Sequence, residues 1–190
     1  MMLFIFDMGG VLARDFDIAP DAARLLGMDV SELRAAWEPL MMPFMRGELC
    51  AAEGWERFEK STGRRASEDY WQTLFRPKVD DEVLALIRGL GASERVVCGS
   101  NTIDSHYRIL RERGFYDCFH AVYVSNLLGR AKPEPGFWLS ILEAEGIEAK
   151  DAVFIDDMEE NVRAAAALGM EAIHFIGAAM LADRLKAYLR

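Results

Sequence analysis

Residues 3–10 read Leu-Phe-Ile-Phe-Asp-Met-Gly-Gly, and this stretch decides the fold. Four apolar side chains in succession leave no polar face, so the segment reads as a strand buried on both sides rather than a half-exposed one. An acid and two glycines follow it, which sets a carboxylate at the carboxyl end of a buried strand.

Four further runs read in the same way: Arg95 to Cys98, Ala121 to Val124, Ala152 to Ile155 and Ala172 to Phe175. Asp81 to Leu90, Ile103 to Arg113, Gly136 to Glu145, Glu160 to Leu168 and Met180 to Leu189 alternate with them and carry apolar stripes at helical spacing, with charges opposite. The alternation predicts an α/β fold, a Rossmann-like parallel sheet with helices on both faces. One long excursion interrupts it, from about Phe16 to Lys78, with no convincing strand. There Val30, Leu33, Trp37, Leu40, Met41 and Phe44 recur at helical spacing, and Trp55 with Phe58, then Tyr70, Trp71 and Leu74, extend the helical reading. We expect residues 1–15 and 79–190 to form the α/β core and 16–78 an inserted helical module. The module's aromatics and Met41, Met42 and Met45 are expected to fill its interior.

With 190 residues, 52% of them hydrophobic, the chain can build one substantial core and a small attached module. Its formal net charge of -9 repels phosphate backbones and excludes nucleic acid as a partner. Cys50, Cys98 and Cys118 are odd in number and lack C-x-x-C spacing, which argues against a disulfide framework or zinc site and for a reducing, cytoplasmic setting. No stretch reaches ~18 uncharged apolar residues, and the apolar opening lacks a basic flank, so neither a membrane span nor a signal peptide is expected. Nothing in the pattern specifies an oligomer.

In open parallel sheets, ligands bind beyond the carboxyl ends of the strands. Those ends carry Asp7-Met8-Gly9-Gly10, Ser100-Asn101-Thr102 and Asp156-Asp157, with Lys132-Pro133 in the loop after the third strand. Singly, each has a structural reading, as a glycine turn or a helix cap. Together they bring carboxylates, hydroxyl and amide donors and a cation to one sheet edge, a convergence that packing alone does not explain.

The order and wording of these segments resemble the haloacid dehalogenase-like hydrolase superfamily. FIFDMGGVL (4–12), VVCGSNT (96–102), GRAKPEPGFW (129–138) and VFIDDMEENVRAAAALGM (153–170) are similar to its four motifs, in its order. The excursion then looks like the family's helical cap, and MRGEL (45–49) like a recurring cap segment. The resemblance is closest to small bacterial phosphatases acting on glucose 1-phosphate and similar sugar phosphates, and it implies a small phosphorylated metabolite as substrate. It implies Asp7 as the nucleophile, forming an aspartyl-phosphate intermediate, and as a Mg²⁺ ligand together with Asp157, its neighbour Asp156 and the Gly9 carbonyl. It further implies that Asn161 orients water around the metal, that Ser100 and Asn101 bind phosphoryl oxygens, and that Lys132 neutralises charge on Asp7 and the phosphoryl group.

One position departs from the family pattern. Its phosphatases usually carry a second aspartate two residues after the nucleophile, which protonates the leaving group and activates water; this chain has Gly9. Such acid–base help is worth ~10²–10⁴ in rate, so poor leaving groups should turn over weakly. Asp15, Asp17 and Glu48 are candidate substitutes. Two other readings stay open: a phosphate-binding module with little turnover, and a metal-independent dehalogenase, whose halide leaving group needs no acid. His106, His120 and His174 lack cluster spacing, while Arg14, Arg46, Arg64, Arg65 and Arg130 are candidate contacts to an anionic or hydroxylated substrate.

Overall fold

The computed structural model describes residues 1–189. The chain forms β1 (Leu3–Phe6) and a two-residue strand β2 (Ala13–Arg14), then four helices: α1 (Ala19–Leu26), α2 (Val30–Met45), α3 (Ala51–Thr62) and α4 (Tyr70–Thr73). It returns through β3 (Lys78–Val79), the antiparallel partner of β2. Then come α5 (Asp81–Gly91), β4 (Arg95–Ser100), α6 (Asp104–Glu112), β5 (Ala121–Val124), α7 (Ser125–Leu128) and α8 (Pro135–Glu145). The chain ends with β6 (Ala152–Asp156), α9 (Glu159–Ala167), β7 (Glu171–His174) and α10 (Ala178–Leu185).

The five longer strands form one parallel sheet in the order β5-β4-β1-β6-β7. Central β1 pairs with β4 and β6, Phe6 standing opposite Cys98 and Ile155. Strand order reverses about β1, so the loops leaving β1, β4 and β6 diverge and open a crevice at the carboxyl edge. Side-chain alternation splits the core. Phe4, Phe6, Val96, Cys98, Val153 and Ile155 pack in one layer with Ile87 of α5 and Leu185 of α10. Leu3, Ile5, Val97 and Phe154 pack in the other, with Trp138 and Ile141 of α8 and Ala165 of α9. Burial on both faces is why these strands read as continuous apolar runs.

Some boundaries differ from the sequence expectation. The last strand runs Glu171–His174 instead of Ala172–Phe175, because it is an edge strand pairing only with β6, and only Ile173 is fully buried in it. The strands β4 and β6 run on through Ser100 and Asp156, which therefore sit within the sheet. The ribbon β2–β3 was not expected, since two-residue strands carry no period; it ties the two ends of the helical excursion together.

Inside the excursion the aromatics do fill the interior. Trp55 stacks on Trp71 at 4.0 Å, with Trp37, Phe44, Phe58 and Tyr70 packed around them. Asp69 holds this cluster, accepting hydrogen bonds from Trp55 Nε1 at 3.0 Å and from the Trp71 amide at 3.1 Å. Of the methionines, Met41 packs against this core, Met45 is half-buried and Met42 is exposed.

His106 of α6 fastens this bundle to the sheet layer. Its ring stacks on Phe75 at 3.7 Å, and Nε2 donates to the Trp71 carbonyl at 2.9 Å. Burial pushes its pKa down to about 4 from 6.5, although the Trp71 carbonyl favours the protonated ring. The unfolded chain takes up this proton near pH 6.5 and the folded chain only near 4. The stability contributed is therefore whole above pH 6.5 and is lost as pH falls toward 4. Wild type should lose melting temperature more steeply between about pH 7 and about pH 4.5 than His106→Gln, which cannot titrate there. Parallel melting curves across that range would contradict this role.

Candidate active site

Asp7 follows β1, and its amide donates to the Ile155 carbonyl at 2.9 Å, so the β1–β6 pairing fixes its backbone. Its side chain meets Lys132, the most deeply placed cation of the site. Lys132 is 2% exposed, with Nζ 2.8 Å from Asp7 Oδ1 and 2.6 Å from Asp156 Oδ2. The rings of Phe154 and Phe137 lie 5.3 and 5.9 Å from that ammonium and close it off from water. Burial alone would lower the Lys132 pKa, but Asp7 and Asp156 on either side raise it, so the ammonium persists. Burial pushes Asp7 up to about 6; Lys132 opposes the shift and Asp156 adds to it.

Asp156 is fully buried at the end of β6 and has donors on both oxygens. Oδ1 accepts from the Met158 amide at 2.8 Å and Oδ2 from Lys132 at 2.6 Å, while Asn161 Nδ2 lies 3.1 Å from each oxygen. Asp156 Oδ2 thus holds Lys132 while Oδ1 is fixed by the Met158 amide, so the carboxylate expected as a metal ligand also backs the lysine. Asn161, expected to orient water around a cation, braces Asp156 through these two contacts.

Asp157 is the less committed carboxylate. Burial and the charge of Asp156 raise its pKa. Its position depends on Gly10, which takes φ +76°; a Cβ there would lie 2.1 Å from Asp157 Oδ2. The carboxylate thus rests directly on the Gly10 backbone, and His174 Nε2 holds the Asp157 carbonyl at 2.9 Å. Asp7, Asp156 and Asp157 each bring an oxygen within 4.8 Å of the others. Three carboxylates face one ammonium, a donor set of hard oxygens with excess negative charge that suits Mg²⁺.

The loop after β4 supports the lysine. Asn101 Nδ2 donates to the Lys132 carbonyl, and the Lys132 amide donates to Asn101 Oδ1, both at 2.8 Å. The Asn101 carboxamide is therefore a clamp on the lysine backbone, a role the sequence reading did not assign. Ser100, 3% exposed, makes only a 3.3 Å contact from Oγ to the Asn101 carbonyl. Ser125, also missed from sequence, fixes this loop by accepting from the Thr102 amide at 3.0 Å. A lone serine after an apolar strand carries no signal of that kind.

Most of the candidate arginines are committed elsewhere. Arg14 binds Asp80 at 2.9 and 3.0 Å and the Gly10 carbonyl at 2.8 Å, bracing the loop after β1 against the start of α5. Arg46 pairs with Glu134, Arg130 binds Ser140 at 2.9 Å, Arg65 lies 3.9 Å from Glu59, and Arg64 is exposed. Two of the candidate acids are also engaged: Asp15 with Lys78 at 2.8 Å, and Asp17 with Arg34 at 2.5 Å and the Ala19 amide at 3.1 Å. Glu48 is exposed in a segment that docks on the core, where a Cβ at Gly47 would lie 2.3 Å from the Asn126 carbonyl oxygen.

Comparison with known proteins gives the family and the fold. A family model described as haloacid dehalogenase-like hydrolase matches residues 1–169. The sesquiterpene phosphatase astK of Aspergillus oryzae is 30% identical, over 90% of this chain and 87% of that protein. Flavin mononucleotide hydrolase 1 of Arabidopsis thaliana is 24% identical, over 96% of this chain and 76% of that protein. The HAD family enzyme bt-2542 of Bacteroides thetaiotaomicron, solved in complex with magnesium and inorganic phosphate, shares the fold: TM-score 0.76 and 23% identity over 91% of this chain and 93% of that one. No described helix is long and apolar enough to cross a membrane.

Because Asp157 lies where a Gly10 Cβ would go, Gly10→Ala should displace that carboxylate while leaving the sheet intact. We expect the Mg²⁺ concentration for half-maximal phosphatase activity to rise by about 10–100-fold, the usual cost of disturbing a metal ligand's support. An unchanged metal titration in a folded variant would show that Asp157 does not depend on Gly10.

Proposed function

The chain belongs to the haloacid dehalogenase-like hydrolases, and from that membership we propose a Mg²⁺-dependent phosphatase that uses Asp7 as its nucleophile on a small phosphorylated metabolite. The observation that carries this reading is the ion pair of Asp7 with a buried lysine, at the edge where the Asp157 carboxylate also gathers. Lys132 keeps its charge because Asp156 backs it, which leaves the ammonium to favour the ionised form of Asp7 and to attract phosphoryl oxygens.

An Asp7 oxygen bonds to phosphorus while the ester P–O bond breaks, its electron pair leaving with the alcohol oxygen, which takes its proton from water. Water then attacks phosphorus, giving its proton to the hydroxide left by that first transfer, while the bond to Asp7 breaks with its electron pair returning to the carboxylate and inorganic phosphate departs. Asp7, Asp157 and the Gly9 carbonyl would hold Mg²⁺. When bound, the ion offsets the repulsion between the attacking carboxylate and the phosphoryl group. The Ser100 hydroxyl, the remaining Asn101 amide proton and Lys132 receive the phosphoryl oxygens. In this reading residues 16–78 act as a cap over a core of 1–15 and 79–190.

Glucose 1-phosphate and similar sugar phosphates are the carriers suggested by the motifs; a sesquiterpene phosphatase and a flavin mononucleotide hydrolase stand among the relatives. A cytoplasmic setting goes with this reading, supported by three free cysteines. The test is Mg²⁺-dependent hydrolysis of p-nitrophenyl phosphate by wild type and by Asp7→Asn, a nearly isosteric change. Activity should fall by about 10⁴-fold or more, the scale on which loss of a nucleophile is felt. Turnover of the variant within about tenfold of wild type would refute Asp7 as nucleophile, and activity unaffected by excess chelator would refute the metal.

A further inference from the structure

Gly9 has no side chain, and the Phe16 ring faces the space a side chain there would enter. A Cβ at Gly9 would stand 3.7–3.8 Å from three carbons of the Phe16 ring, ordinary van der Waals contact, so the ring flanks the position two residues from Asp7. Phe16 nevertheless remains 41% exposed. It is set there by Asp15, which takes a left-handed φ of 53° and is tied to Lys78 at 2.8 Å. A non-glycine residue in that conformation is uncommon and tends to mark a functional segment. Two other exposed hydrophobics stand on loops at the same sheet edge: Met158, 55% exposed, just after Asp157, and Ile176, 74% exposed, just after β7.

We propose that Phe16 is a specificity-determining residue that selects aryl phosphates, esters of a phenolic hydroxyl, by stacking on the departing ring. The proposal rests on the reading that Asp7 attacks phosphorus. Two independent features agree on this class. Gly9 itself brings no proton-donating side chain, so the favoured leaving oxygen is one that departs as a stabilised anion, and a phenolate does so where an alkoxide does not. At that same position an aromatic face is offered, which a flat ring matches by offset stacking. A sugar ring would instead lose water from its hydroxyls against the Phe16 face, while Arg14 is already bound to Asp80 and the Gly10 carbonyl.

The test compares two probes that both leave without proton help and differ in the ring: 1-naphthyl phosphate and acetyl phosphate. Phe16→Ala should lower kcat/KM for 1-naphthyl phosphate by about tenfold more than for acetyl phosphate, mainly through KM, the scale on which lost apolar contact is felt in a binding site. Phe16→Tyr, which keeps the ring, should restore most of the difference. Equal losses on both probes would make Phe16 merely structural and overturn the proposal, as would equal retention. Failure of the underlying phosphatase reading would appear earlier and separately, as folded wild type that hydrolyses neither probe with Mg²⁺.

Discussion

The site is organised around one buried ammonium. Lys132 has almost no access to water, and a charge in that position is stable only between partners that return what hydration would have supplied. Asp7 and Asp156 do so at 2.8 and 2.6 Å. Removing one partner of such a buried pair typically costs ~3–5 kcal/mol, which binds the integrity of the core to the composition of the catalytic edge. Several elements serve this contact. β1 and β6 place the two aspartates, Asn101 clamps the lysine backbone from the β4 loop, and Asn161 and the Met158 amide fix Asp156 from the start of α9.

The same constraint explains the division of labour between neighbouring acids. Asp156 and Asp157 are adjacent in sequence but point to different tasks, because a strand alternates its side chains and Asp156 is its last residue. Asp156 enters the sheet layer and meets Lys132. Asp157, one residue beyond, lies across Gly10, where any side chain would displace it. Arg14 secures the far side of that loop by binding the Gly10 carbonyl, and its other end reaches Asp80, which caps α5 through the Val83 amide. The junction between the sheet and the helical excursion is thereby tied to the loop that follows Asp7.

Much of this was legible in the sequence because two-sided burial writes itself as apolar runs. Leu3–Phe6, buried throughout, falls where its run predicts; Ala121–Val124 does too, although as the other edge strand it is fully buried only at Val124. Legibility failed where pairing rather than burial decides the outcome. The edge strand β7 begins at exposed Glu171 because Val153 pairs with that position, and β2–β3 is too short to show any period. In the site, residue types at strand ends identified the charged groups that converge, but type alone does not say which partner each finds. Asn101 and Asp156 reveal their supporting roles only once the Lys132 loop lies beside them. Arg14 and Arg46 read as free cations and are held by Asp80 and Glu134, acids 66 and 88 residues away. Phe16 was counted as the start of the excursion; no periodicity could place its ring on Gly9.

The central claim is that Asp7 itself carries the phosphoryl group during turnover. The direct measurement is to quench wild type in acid during steady hydrolysis of p-nitrophenyl phosphate with Mg²⁺, digest it, and locate phosphoryl adducts by mass spectrometry. With no acid–base side chain at Gly9 to activate water, hydrolysis of the intermediate is slow, and the peptide bearing Asp7 should carry one phosphoryl group in a substantial fraction of molecules. Full turnover with that peptide unmodified, or with the phosphoryl group on another residue, would contradict the account.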